Sequence, residues 1–187
     1  MRFKLSTDVL KNFLLKSSSE HISKIIDDIY PADILDIIRT YQGNRLDILN
    51  KLPDWMIAEI IDEAEDEEKY ELLALFPNIK QSDIVEEMSS DELADMLGTL
   101  ESSEAQKILD NMDEEDAEDV RELLNYEPDT AGGLMTADFS AINDTMTVKE
   151  ALKYLQEEAP DENIAYNIYV LDNEGSLRGT VSLRDIV

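Results

Sequence analysis

The chain has 187 residues, room for one or two domains at roughly 100–200 residues each, and 43% of them are hydrophobic, so a core can be buried. Forty-four acidic against 16 basic side chains give a formal net charge of −28, which repels nucleic-acid phosphates and anionic membrane surfaces and removes both as partners. The absence of cysteine and a single histidine, His21, exclude disulfides, Cys/His zinc sites, thiol nucleophiles and histidine-dependent triads within this chain.

The opening stretch MRFKLSTDVLKNFLLK scatters charges through its apolar positions. It is a poor signal peptide and reads better as a short basic amphipathic helix. Residues 1–24 carry five Lys/Arg and two acids, so the acidity lies almost wholly beyond them. No apolar run approaches the ~18–20 residues that a membrane helix needs. The chain is expected to be soluble as given, and its lack of cysteine agrees with a reducing cytosol.

From residue 46 the chain repeats. The windows LDILNKL, AEIIDEA, YELLALF, SDIVEEM, ADMLGTL, QKILDNM and EDVRELL begin at 46, 58, 70, 82, 94, 106 and 118, a spacing of 12 throughout. Their third position is always apolar (Ile48, Ile60, Leu72, Ile84, Met96, Ile108, Val120), the fourth is apolar except at Arg121, and the seventh is Leu, Ala, Phe or Met. On a helix these positions share one arc of about 100°. DIIRTY (36–41) fits the same template one residue out of step. Turn and cap signals separate the units: Pro53, Pro77-Asn78, Ser89-Ser90, Ser102-Ser103 and Asp113. Ser89-x-x-Glu92 and Ser103-x-x-Gln106 have the spacing of capping boxes. Helices this short are marginal alone and must pack their stripes on neighbours. A right- or left-handed superhelix of short antiparallel helices is predicted, with an open bundle as the rival.

The second position of the unit is acidic in six of seven windows (Asp47, Glu59, Glu71, Asp83, Asp95 and Asp119), and Lys107 breaks the row. These carboxylates are predicted to line the outside of the array. In SSDELADML (89–97), Asp91 and Asp95 stand at i,i+4 on one helix face, about 5–6 Å apart at Cβ. Two such carboxylates suit a hard divalent cation that keeps part of its water shell. They also suit a solvated face whose first-turn acid complements the helix dipole. The acidic runs 62–71 and 113–122 are read as solvated faces. A glycosidase pair needs a cleft with aromatic platforms; one Trp and an exterior row of acids argue against it, and no enzymatic activity is expected.

At YEPDTAGGLMT (126–136) the grammar changes. FSAI (139–142) is a short strand candidate, and Thr147-x-x-Glu150 opens an amphipathic helix, 147–158, that stops at Pro160. NIAYNIYVLD (163–172) and LRGTVS (177–182) flank the turn DNEG (172–175) as a hairpin. Gly132 and Gly133 supply the conformational freedom or the close approach that a tight junction needs. Backbone carbonyls at such a corner are also oxygen donors for a hard cation; the alternative is that Gly132 and Gly133 only turn the chain.

The order short strand, TVKEALKYL, IYVLDNEGSLRGTVSLRD resembles a CBS domain lacking its last helix. Preceded by YEPDTAGGLMT, it is similar to the cytosolic region of the MgtE family of magnesium transporters. YPADILDII (30–38), with Tyr30 where the family usually has His, DELADML (91–97) and the 12-residue units resemble that family's superhelical N domain. The resemblance implies three parts: a superhelical domain over 1–126 that includes the basic N-terminal helix 1–24, a junction over 127–136, and a truncated CBS domain over 137–187. It implies Mg2+ ligands at Asp91, Asp95, Glu59 and Gly133, and a homodimer formed through CBS domains. It also implies a location on the cytoplasmic side of the plasma membrane and gating of a transmembrane pore outside this chain. High Mg2+ would hold acidic surfaces together and shut the pore; low Mg2+ would let them repel and open it. The CBS-like run Gly179-Thr180-Val181-Ser182-Leu183-Arg184-Asp185 matches a loose motif for ATP or another adenine nucleotide. There Asp185 would take ribose, and Ser182 with Arg184 the phosphates. The alternative for Ser182 and Asp185 is a helix cap and a first-turn acid. The competing functional readings are a helical-repeat scaffold that docks a basic protein and dimerises through CBS, and nucleotide-responsive regulation with Mg2+ incidental.

Overall fold

The structure, a computed structural model, describes residues 6–158 and 167–187. The chain forms two compact units, one ending at Met135 and the other spanning Thr136–Val187. The first is helical: α1 (Thr7–Lys16), α2 (Ser19–Ile22), a 3-10 turn (Ile26–Asp28), α3 (Pro31–Thr40), α4 (Leu46–Leu49) and α5 (Asp54–Asp62). There follow α6 (Asp66–Leu73), α7 (Asn78–Val85), α8 (Ser90–Gly98), α9 (Ser102–Leu109) and α10 (Glu114–Leu123).

The repeat explains the packing. Its third-position side chains Ile48, Ile60, Leu72, Ile84, Met96 and Val120 are each no more than 1% exposed. Ile108 is half-buried, because it lines an open groove with Tyr70, Asn78, Gln81, Lys107 and Asn111. Helices of eight to ten residues (α5 to α10) are too short to persist alone. They hold by burying their stripes against helices two steps away: α3 on α5, α5 on α7, α6 on α8, α8 on α10. The array is thus two interleaved rows, cross-tied where α5 meets α6. Prolines stand at the N-caps of α5 and α7, where Pro53 and Pro77 accept the N–H groups of Ile57 and Gln81 through their carbonyls, positions at which proline's missing N–H costs no helix bond.

Two expected capping boxes are absent. Ser89 and Glu101 are the N-caps of α8 and α9, and neither makes a side-chain cap bond. Glu92 turns instead to Lys69, and the Gln106 amide donates to Asp110 Oδ1 at 2.6 Å. A buried ammonium is a stronger partner for a carboxylate than a solvated N–H.

Basic side chains bridge elements. The Arg39 guanidinium donates twice to Glu68, at 3.0 and 2.6 Å to Oε2. The Lys51 ammonium donates to the carbonyls of Leu14 and Leu15 at 2.9 and 2.7 Å, closing the C-terminal end of α1. Lys69 pairs with Glu92 and Lys80 with Asp54.

The second unit holds β1 (Ala141–Asn143), α11 (Val148–Glu158), β2 (Ile168–Leu171), β3 (Leu177–Val181) and α12 (Leu183–Ile186). The sheet order is β1-β2-β3: β1 runs parallel to β2, with Ala141 opposite Tyr169, and β2 is antiparallel to β3. Strand β1 starts two residues later than expected, since pairing with β2 begins at Ala141; Phe139 lies outside it, edge-on to Tyr169 at 5.8 Å. Leu155, Ile168 and Ile186 form the core, with Ile142, Leu152 and Val181 around it. At the hairpin, Asp172 Oδ1 accepts the N–H groups of Glu174 and Ser176, both at 2.9 Å, and Gly175 has φ +78°. That left-handed geometry suits glycine. The expected helix stop at Pro160 and the start of the 163–172 strand lie outside the described residues.

Candidate metal-responsive face

Three helices of the first unit bring charge together. Helix α5 carries Glu59 and Asp62, α6 carries Lys69, and α8 carries Asp91, Glu92 and Asp95; α6 packs on both α5 and α8. Lys69 is only 2% exposed. It occupies the position just before a repeat window, where Ile57, Leu93 and Ala117 are buried and Arg45, Gln81 and Ala105 half-buried. At this position the Lys69 ammonium is buried and meets Glu92.

Asp62 is drawn into the same cluster. Burial pushes its carboxyl up to about 7; Glu92 adds to the rise, Lys69 opposes it, and Asp91 and Glu59 raise it further. Its Oδ1 is buried and makes no hydrogen bond among the described residues. Glu59 and Asp91 thus bear on one buried carboxylate although 32 positions separate them (91 minus 59). Asp91 is half-buried, and Asp95, one turn further along α8, is exposed.

Among the described residues no three acidic or imidazole side chains converge in a way that would hold a metal ion. The donor chemistry nevertheless suits a hard cation. Asp91 and Asp95 present oxygens on one face, enough for an ion that keeps several waters and takes one or two carboxylates, not for an all-protein cage.

Gly133 lies in the turn after α10, and its N–H donates to Thr130 Oγ1 at 3.3 Å. Neither Gly132 nor Gly133 has positive φ; the requirement there is close approach. A Cβ on Gly133 would lie 2.8 Å from both Cα and O of Pro128, and one on Gly132 would meet the Tyr126 ring.

In the second unit, Ser182 and Asp185 form a capping box at α12: Ser182 Oγ donates to Asp185 Oδ2 at 2.6 Å, and Asp185 N–H donates to Ser182 Oγ at 3.3 Å. Those bonds from the Ser182 hydroxyl and N–H hold the Asp185 carboxyl below its ordinary range. Arg184 is exposed. The cap is present, and two of the three expected nucleotide side chains serve it.

Sequence reasoning missed Asp62 and Lys69, both within the run taken as a solvated face. Register gave only a weak signal, since the same position holds Ile57, Leu93, Ala105 and Ala117 in some units but Arg45 and Gln81 in others.

Known proteins resemble both parts of the chain. Residues 29–129 match the MgtE intracellular N domain and residues 131–187 the CBS domain. The magnesium transporter MgtE of Thermus thermophilus is 35% identical over 182 residues, which are 95% of this chain and 40% of that protein. The magnesium transporter MgtE of Enterococcus faecalis is 41% identical over 71 residues, 38% of this chain and 16% of that protein. The chain therefore spans less than half the length of these relatives. A crystal structure of the cytosolic domain of the Mg2+ channel MgtE in complex with ATP superposes with a TM-score of 0.80 at 34% identity, covering 96% of this chain and 74% of that one. The soluble part of a magnesium transporter gives 0.81 at 28% identity, covering 96% and 72%. With the N-domain match alone covering more than half of it, the chain belongs to the MgtE family, over the part formed by the intracellular N domain and a CBS domain.

Proposed function

We propose that the chain is the Mg2+-responsive regulatory region of a magnesium transporter or channel, working on the cytoplasmic side of the plasma membrane. The observation that carries this reading is the charge balance of the helical unit. Arg39, Lys51, Lys69 and Lys80 are committed to internal bridges, while Asp91, Asp95 and Glu59 stand on an acidic face at the meeting of α5, α6 and α8. An acidic surface brought against a second one repels it by several kcal/mol unless cations intervene. Mg2+ held at Asp91 and Asp95, with Glu59 and the Gly133 carbonyl as further donors, offsets that repulsion. A ligand shifts such an equilibrium only by its differential affinity for the two states. Ions that bind the closed arrangement better therefore favour it, and in the whole protein, a homodimer joined through CBS domains, closure shuts the pore.

The test is a Mg2+ titration to ~10 mM, a range suited to weak hard-cation sites, following radius of gyration and proteolysis at 126–136. Compaction that disappears in Asp91→Ala/Asp95→Ala supports the reading. An unchanged shape across the titration, in the full cytosolic region as well as in this chain, sinks it.

A second reading rests on the ATP-bound relative: adenine-nucleotide binding at Ser182, Arg184 and Asp185. It requires the α12 capping box to share or surrender its side chains. Calorimetry with ATP, with Arg184→Ala as the control, decides it.

A further inference from the structure

We propose that Lys69 is a positioning residue of the acidic face, an internal counter-ion that withholds Glu92 from cations in solution. The inference rests on the Mg2+-responsive reading and names what sets its threshold.

Five carboxylates lie around the α5–α6–α8 meeting point: Glu59, Asp62, Asp91, Glu92 and, a turn further on, Asp95. The Lys69 side chain is 3% exposed, so its charge is out of bulk water. Taking an ammonium out of water is costly unless carboxylates compensate it at close range. Glu92 does so directly, from the first turn of α8. Asp62 lies in the same charge field: Lys69 favours its charged form, but burial and the neighbouring acids outweigh that and the carboxyl is raised. Carboxylates that hold a fixed ammonium are poor ligands for a dissolved ion, because the ion would have to displace a tethered cation. Lys69 thereby sorts the acids. Glu92 is engaged by the buried ammonium, and Asp91, its neighbour along the chain, stays half-buried on α8. The bridge also fixes the first turn of α8, and with it Asp91 and Asp95, against α6.

A lysine placed there for packing alone needs only its aliphatic stem, and Met would replace it at similar volume. The charge makes the difference between the two accounts. In Lys69→Met, Glu92 loses its internal cation, and a divalent ion takes its place. The Mg2+ concentration at half-maximal thermal stabilisation then falls about tenfold relative to wild type. Lys69→Arg keeps the charge and keeps the wild-type midpoint. Lys69→Met/Glu92→Gln removes the pair together, holds the fold should the single variant fail to, and returns the midpoint to within about threefold of wild type.

The experiment is differential scanning fluorimetry of the full chain against MgCl2, with KCl at matched ionic strength as control. A Lys69→Met protein that folds and shows the wild-type midpoint overturns the proposal, as does a double variant with the lowered midpoint. If wild type is indifferent to Mg2+ and Lys69→Met responds, the counter-ion role stands, and the regulatory reading falls once the full cytosolic region is indifferent as well. If wild type responds and Lys69→Met responds identically, the regulatory reading stands and the counter-ion role falls. If neither responds, the counter-ion role falls, and the regulatory reading falls with it once the full cytosolic region is indifferent as well.

Discussion

The first turns of α8 and α11 begin with the same spacing, a hydroxyl residue followed three places later by Glu, and end differently. At α11, Thr147 and Glu150 form the box: Glu150 N–H donates to Thr147 Oγ1 at 3.4 Å, and Thr147 N–H donates to Glu150 Oε2 at 2.9 Å. Thr147 holds the Glu150 carboxyl below its ordinary range, through its side chain first and its backbone second. At α8, Ser89 makes no such bond and Glu92 reaches across to Lys69. Spacing proposes a cap; a buried cation from another helix outbids it. The lesson extends to function. An acid near a helix start is local punctuation in the CBS-like unit and part of a tertiary charge network in the helical one.

The largest test of that contrast is Glu92→Ala against Glu150→Ala. The first removes Glu92 from the buried Lys69 and is expected to cost about 2–4 kcal/mol, on the low side of what breaking a buried pair costs because Glu92 is partly exposed. The second removes half of a surface cap and costs about 0.5–1 kcal/mol. Urea unfolding monitored by circular dichroism measures both; equal losses would erase the distinction.

Asp62→Asn probes the same network through pH. Because the folded carboxyl is raised from 3.8 to about 7, the folded state holds its proton more tightly than the unfolded chain. The corresponding stability is fully present below pH 3.8 and is lost as pH rises through about 7. The Asn variant has no such loss. Its stability relative to wild type should therefore rise between pH 5 and pH 8 by about 1–3 kcal/mol. A difference that stays flat across that window contradicts the buried, charge-crowded setting of Asp62.

The smallest effect separates the two hydroxyls. Thr147→Ala is expected to lower stability by about 1 kcal/mol, read as loss of protection at the start of α11 in hydrogen exchange. Ser89→Ala, which removes no cap bond, stays within about 0.5 kcal/mol. A comparable loss at Ser89 would show that α8 is capped after all.

Much of this molecule was legible without coordinates. A 12-residue period with an apolar arc can be satisfied only by short helices that bury one side, and Ile60, Leu72, Ile84 and Met96 are interior for that reason. The turn at Asp172–Gly175 and the box at Thr147 were equally readable, since their partners lie within a few residues along the chain. Tertiary structure decided the rest. No local rule says that Glu92 will ignore Ser89 for a lysine 23 residues upstream, that Asp62 will sit among the charges of Glu92, Asp91 and Glu59, or that Gly132 and Gly133 are needed for close approach and not for positive φ. Periodicity encodes which face of a helix turns inward. Electrostatics in an interior depends on which helices meet there, and only the packed array supplies that.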